Sequence, residues 1–504
     1  MKLRIWQSLL LTMNVLASAP AQDAALGDFK GSDDVGGPKL AGSAAYDPAT
    51  QEYTLSGAGT NMWSASDQFH FLWQKMKGDF ILRARVEFVG KGGSAHRKIG
   101  WMVRPTLDGG APYADAVEHG DGLTSIQFRR AVGSNTEQLK LSVSNADVLQ
   151  FERKGGNYIF SAARYGEPFV SEQLTNVNLG DEVYAGLYIC SHNGDMLEKA
   201  IFRDVRIIRP APDGFVPYHD YIGSVLEILD VQSGKLERIY QAAYSFEAPN
   251  WTRDGLAVIY NISGQSCARG LLRRFNLADK TGTFIKPGAC TNNNNDHVLS
   301  FDGTMLGISG QSASGGQSCI FTVPVAGGEP KAVTPLTPSY LHGWSPDGRF
   351  LVYTGGRGGK FDVYKIPSDG SAPETRLTDA PGLNDGPEYT PDGNWIYFNS
   401  SRTGTMQLWR MKPDGQGQEQ VTNDAFNNWF PHISPDGKWI AFLSYGKEVA
   451  PEDHPYYKQV YLRLLPIEGG TPKVIAYVYG GQGTMNVPSW SPDSRKIAFV
   501  SNTQ

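Results

Sequence analysis

The stretch Asn427–Tyr445, NNWFPHISPDGKWIAFLSY, reads in two halves. Its second half is a tight turn, Ser434-Pro435-Asp436-Gly437, followed by an alternating strand. Asp-Gly is a hairpin signal, because glycine tolerates the positive φ that such a turn needs. Its first half sets Trp429, Pro431 and His432 directly ahead of that turn. The arrangement recurs along the chain: PNWTRDGLAVIYNIS from Pro249, DHVLSFDGTMLGIS from Asp296, LHGWSPDGRFLVYTG from Leu341, GPEYTPDGNWIYFNS from Gly386, FPHISPDGKWIAFLS from Phe430 and VPSWSPDSRKIAFVS from Val487. The Ser or Thr that opens each turn stands at 252, 300, 345, 390, 434 and 491, with gaps of 48, 45, 45, 44 and 57.

That period is the length of a four-stranded propeller blade. Each unit supplies an inner strand, the turn and a second strand. A third strand follows, as in MQLWRMKPDG and DVYKIPSDG, and then a fourth, as in EQVTND and TRLTD. Six inner strands predict six blades. The sixth unit holds only two strands, and an open edge there would be a liability. Upstream, GSVLEILDVQSGKLERIYQ from Gly223 to Gln241 reads as a third strand, a turn and a fourth strand. The expectation is a six-bladed β-propeller whose first strands complete its last blade.

The Ser-Pro-Asp-Gly hairpins, the loop Asn399–Gly404 and the turn Lys412-Pro413-Asp414-Gly415 resemble those of TolB-type β-propellers over roughly residues 217–504. The resemblance implies the fold and leaves function open. TolB itself is a periplasmic protein-binding partner of an envelope complex, and similar propellers include oligogalacturonate lyases and peptidase gating domains.

The rest of the chain reads differently. Residues 1–21 carry Lys2 and Arg4, an apolar run and Ala19-Pro20-Ala21, the pattern of a signal peptide, so a periplasmic or secreted protein is expected. No other run is long enough for a membrane span. Residues 25–210 alternate as strands, including DFILRARVEFVG, RKIGWMVRP and LTSIQFRRAV, with few helical periods. They predict an all-β sandwich or jelly roll and resemble concanavalin-like (laminin-G-like) domains that accompany carbohydrate-active proteins. Ser125, Gln127 and Arg129, with Lys98 and Arg104 opposite Trp101, fall on a face that such a domain could offer to a sugar, near His119 and Asp121. A Pro-rich linker is expected over 211–221 and the propeller over 222–504. The charge of −5 without a basic block excludes nucleic acid as a partner. Four cysteines, Cys190, Cys267, Cys290 and Cys319, are too few for a disulfide scaffold, but one bridge among the last three is plausible in an exported protein.

Strand direction carries the residues ahead of each turn to one funnel at the channel mouth. Blade by blade they are Glu247 and Asn250; Asn295, Asp296 and His297; Tyr340 and His342; Asn384, Asp385 and Glu388; Asn428, Trp429 and His432; Gln482, Asn486 and Ser489. The outer loops add Arg357, Arg402, Tyr445, Lys447 and His454. A ring of His, Asp, Glu, Asn and Trp is costly to bury idle and suits a polar ligand. An oligo- or polysaccharide is the expected partner, with Trp429 as a stacking platform and Arg402 as a clamp.

Two chemistries fit this ring. His297, His342 and His432, with Glu388, could hold one divalent metal ion that acidifies a uronate C–H for β-elimination by a histidine, Lys447 or Arg402. This resembles oligogalacturonate lyases, although their clustered Gln-x-x-His-x-His ligands are absent. Asp296, Asp385 and Glu388 could instead supply an acid/base pair for glycoside hydrolysis, with His432 moving protons. A third reading has no turnover: a TolB-like platform that docks an envelope protein or a glycan. No Gly-x-Ser-x-Gly elbow points to a serine hydrolase.

Overall fold

The computed structural model describes residues 26–216, 219–264, 270–288, 292–311 and 316–504. The expected signal peptide lies outside the described residues, as do Cys267 and Cys290 of the expected bridge. Cys190 and Cys319 are free thiols.

The fold is all-β. The N-terminal half forms two seven-stranded antiparallel sheets. One runs in the order Gly31–Val35, Phe69–Lys77, Glu182–Cys190, Lys98–Arg104, Tyr113–His119, Leu123–Arg129, Glu137–Ser144. The other runs Val170–Leu174, Asn157–Ala163, Val148–Lys154, Phe80–Val89, Asn193–Ile208, Glu52–Gly59, Ser43–Asp47. Trp101, Leu149, Phe160, Leu187 and Phe202 fill the space between them.

The face expected to offer Lys98, Arg104, Ser125, Gln127 and Arg129 to a sugar is closed. All five are buried. A small hairpin, Met62–Trp63 with Ser66–Asp67, lies over it. Asp67 reaches down to pair with Arg129 at 2.6 Å and Arg104 at 3.5 Å, and Tyr113 donates its hydroxyl to the Met62 carbonyl. The polar alternation was there to be capped by the protein itself.

The second half is a six-bladed propeller. Blades one to five are four-stranded meanders whose inner strands are Phe246–Trp251, Asn292–Leu299, Ser339–Trp344, Asn384–Tyr389 and Asn427–Ile433. In blade six, Lys496–Thr503 pairs along its length with Gly223–Asp230, which pairs in turn with Leu236–Ala242. A single bridge, Trp490 to Ile497, stands for its innermost strand. The ring is therefore closed by strands from the start of the propeller.

The repeated turn has a repeated mechanism. The opening Ser or Thr hydroxyl donates to the Asp two residues on, as in Ser345 to Asp347 and Ser434 to Asp436, both 2.6 Å. It also accepts the backbone N–H five residues on, from Phe350 at 2.9 Å and Trp439 at 3.0 Å. The Asp caps the turn from below by accepting the N–H of Arg349. These local bonds replace ladder bonds that a tight turn cannot make.

The two halves are in contact. Tyr165 donates to the Ile475 carbonyl and Tyr477 to the Glu167 carbonyl, with Phe169 against Tyr477 at 4.6 Å. Arg206 makes a buried ion pair with Glu227. The Pro-rich segment is laid on blade five rather than spanning free space: Ala211 donates to the Tyr479 hydroxyl and Phe215 packs on Tyr457.

Candidate functional site

A cavity of about 1050 Å³ opens at the channel mouth. What reaches it is decided by a defect shared by the inner strands. Each of the first five has a β-bulge ahead of its turn: Glu247/Asn250, Asn293/His297, Leu341/Gly343, Asp385/Glu388 and Trp429/His432. Proline follows a residue of positive φ in three of them, at Ala248-Pro249, Gly386-Pro387 and Phe430-Pro431. Proline fits there because a bulge leaves its position without a ladder bond to donate. One extra residue, or two in blade two, interrupts the regular pairing of the strand.

The residues that these inner strands bring to the cavity come from the start of the bulge or from inside it. These are Glu247, Asn294, Asn295, Asp296, His342, Asp385 and Phe430, joined by Tyr340 and, from blade six, Gln482 and Asn486. Those that follow the bulge do not line it; they tie blades together. His297 Nε2 lies 3.1 Å from the Ile259 carbonyl. Asn250 accepts the Leu299 N–H at 3.1 Å, and Glu388 accepts the Ile433 N–H at 2.9 Å at the equivalent place three blades on. The other Glu388 oxygen meets His432 Nδ1 at 2.6 Å, and His432 Nε2 faces the Met485 carbonyl at 3.3 Å.

Several expectations change accordingly. The metal set His297, His342 and His432 is not assembled: of the three only His342 reaches the cavity, while His297 turns Nε2 to the Ile259 carbonyl and His432 spends both ring nitrogens inside the walls. Among the described residues no group of three His, Cys, Asp or Glu side chains is placed to hold a metal ion. Glu388 and His432 are bound to one another outside the cavity lining. Trp429 is fully buried, its ring lying flat on His454 at 4.5 Å and 5°. Its neighbour Phe430 takes the cavity position, because the bulge turns one aromatic in and the other out. Arg402 is held by Ser400, Gln418 and Asn384, over the Trp409 ring. Asn384 and Asn428 are buried in such side-chain networks, and Tyr445 donates to the Pro455 carbonyl. None of these five lines the cavity.

The polar floor is a coupled group from four blades. Asp385 accepts from the Thr354 hydroxyl and from the Gly386 N–H, and lies 3.3 Å from His342 Nε2. Asp296 accepts from Asn294 at 2.9 Å and Asn486 at 3.1 Å. Glu247 accepts from the Tyr456 hydroxyl at 3.3 Å. Burial alone would raise all three carboxyls. For Asp385, the facing His342 overrides it and holds the group well below the ordinary range. Burial depresses His342, and Asp385 and Asp296 more than restore it, leaving it above the usual histidine value. Asp296 is pushed up to about 6, by burial and then by the charge of Asp385, against the pull of His342. Burial pushes Glu247 up to about 7. One ionised carboxylate, two raised carboxyls and a histidine thus share one floor, the arrangement that separates acid from base.

Phe430, Phe361, Tyr340, Tyr221 and Tyr456 supply aromatic wall, and Lys360 is the one basic Lys or Arg among the described lining residues. Phe430, Tyr221, Tyr456 and Thr354 were not expected here. Tyr221 and Tyr456 arrive from segments outside the repeat, so blade spacing gave no sign of them.

This is a closed, bulged six-bladed propeller with a polar funnel. A family match described as the TolB beta propeller domain covers residues 342–453. An uncharacterised protein of Agrobacterium fabrum is 44% identical over 278 residues, 55% of this chain and 92% of that protein. The solved structure of a putative TolB from Agrobacterium tumefaciens is 43% identical, covers 56% of this chain and 100% of its own, and superposes with a TM-score of 0.53. The TolB of Acinetobacter baumannii is more distant, 15% identical over 51% of this chain and 64% of its own, with a TM-score of 0.40. The chain belongs to the TolB-like β-propeller family. Among the described residues no helix is long and apolar enough to cross a membrane.

Proposed function

We propose that the protein binds an oligosaccharide in the propeller funnel, in the periplasm or outside the cell, and hydrolyses it there. The observation that carries this reading is the floor of Asp296, His342 and Asp385 beneath aromatic walls. Sugars are bound by ring faces packed on C–H surfaces and by polar groups that take hydroxyls in pairs. Phe430 and Tyr340 fill the first role; Asp385, Asn486 and Asn295 fill the second.

The ligand is neutral or carries amines. Four carboxyls line the funnel, Glu247, Asp296, Asp385 and Glu452, against Lys360 as the one Lys or Arg of the described lining and His342, which already faces Asp385. A uronate would bring a further negative charge to a site with no guanidinium to receive it. The acid is Asp296, whose carboxyl is pushed up to about 6 and so holds a proton in mildly acidic solution. It gives that proton to the glycosidic oxygen as the bond to the anomeric carbon breaks. Asp385, ionised, takes a proton from the water whose oxygen bonds to that carbon. His342 positions Asp385 and stabilises its charge.

Incubation of the purified chain with neutral, amine-bearing and uronate oligosaccharides, followed by product analysis, tests this. Saturated products from neutral or amine-bearing chains, lost on Asp296→Asn, are expected. Unsaturated uronate products would overturn both the chemistry and the charge argument. Binding without product would leave a non-catalytic platform, the reading favoured by the fact that each floor carboxyl already has partners within the protein.

A further inference from the structure

Three buried acceptor atoms on residues lining the funnel have no hydrogen-bond partner: Glu247 Oε1, Asn261 Oδ1 and Asn486 Oδ1. Their residues are 3%, 1% and 2% exposed. Acceptors buried to that degree are normally satisfied, so three on one cavity ask what satisfies them. The orientation of Asn486 is set by its own chemistry. Its amide nitrogen donates to Asp296 Oδ1 at 3.1 Å, which leaves the carbonyl oxygen turned elsewhere. Glu247 spends its other oxygen on Tyr456, and among the described residues it has no basic partner. Gly483 leaves it room: a Cβ there would sit 2.6 Å from Glu247 Cγ.

Beside these three acceptors stand the Asn295 amide nitrogen, which interacts with Glu247, and the Ser318 hydroxyl, which can donate or accept. The group that fits the remaining acceptors donates more than it accepts. A hydroxyl brings one N–H or O–H equivalent; an ammonium brings three and accepts none. Its charge would also answer a buried carboxyl with no counter-ion. The rings of Tyr456 and Tyr221, 5.9 Å apart, lie on the same side of the cavity as Glu247 and offer faces that attract a cation.

We propose that Glu247, Asn261 and Asn486 form an ammonium subsite that receives the free amine of an amino-sugar unit. The amino sugar rests on the oligosaccharide reading above; the ammonium subsite rests on the orphaned acceptors alone.

Calorimetric titration of the full chain separates the two. The probes are a glucosamine tetrasaccharide, its fully N-acetylated counterpart, a glucose tetrasaccharide and 1,5-diaminopentane. The free-amine sugar is expected to bind roughly tenfold or more tighter than the N-acetylated one, since a charge-assisted bond is lost on acetylation. Glu247→Gln, isosteric and uncharged, erases that difference. Asn261→Leu, which removes one acceptor, weakens the free-amine sugar and leaves the glucose chain unchanged. Equal affinity for the three sugars overturns the ammonium subsite and leaves the oligosaccharide reading standing. Glu247-dependent binding of the diamine with no sugar bound upholds the subsite and overturns the sugar. No binding by any probe overturns both.

Discussion

At the residue scale, Trp429 and Phe430 show how little identity decides alone. They are adjacent aromatics, yet one is a wall of the protein and the other a wall of the cavity. Trp429→Ala is expected to cost about 3–5 kcal/mol of stability, the usual penalty for emptying a large buried ring. Thermal unfolding reads this directly. Glu247 makes a second prediction. Its folded pKa is raised from the ordinary carboxylate value of 4.5 to about 7 by burial. Below 4.5 the group is protonated in both states and costs nothing. Between about 4.5 and 7 the unfolded chain releases the proton first, so stability falls as pH rises through that window and levels off above it. Denaturant titrations at pH 5 and pH 8 should show Glu247→Gln gaining on the wild type only at the higher pH. An unchanged difference would mean that the carboxyl is not desolvated.

At the scale of the element, the bulge is the device that makes a site from a repeat. The sequence carried the blades, their number and their closure in plain view, because turn chemistry is local and repeats. It also named Asp296, Asp385, His342, Asn295, Tyr340 and Asn486, which the structure brings to one cavity. It placed Glu388, His432 and His297 beside them because every polar residue ahead of a turn was carried to the funnel alike. The bulge separates those at its start or inside it from those that follow, and the recurrent prolines were its visible mark. Glu388→Gln is therefore expected to lower the unfolding temperature by weakening a tie between blades four and five, with funnel binding intact. The turns predict an acid response. Asp347 is held down to about 2, chiefly by the Ser345 hydroxyl with burial opposing, and its counterparts Asp254, Asp302, Asp392, Asp436 and Asp493 are lowered too. Depressed carboxyls stabilise the fold above the unfolded value near 3.8 and lose that contribution as pH falls toward about 2. Ser345→Ala should make acid unfolding begin at a higher pH, seen by circular dichroism.

At the scale of the whole molecule, two closures hold the architecture. Lys496–Thr503 joins the end of the propeller to Gly223–Asp230 over eight residue pairs. Deleting residues 496–504 should abolish the cooperative thermal transition of the propeller, since it exposes the edges of two strands at once. The sandwich closes its own polar face with the Asp67 hairpin and stands against blades five and six. In the proposed reading, the bulges choose which polar residues face the ligand. The most direct test is calorimetric titration of the glucosamine tetrasaccharide into wild type, Asp385→Asn and Glu388→Gln. Affinity lost in Asp385→Asn and kept in Glu388→Gln is the predicted result; affinity kept in the first and lost in the second would contradict it.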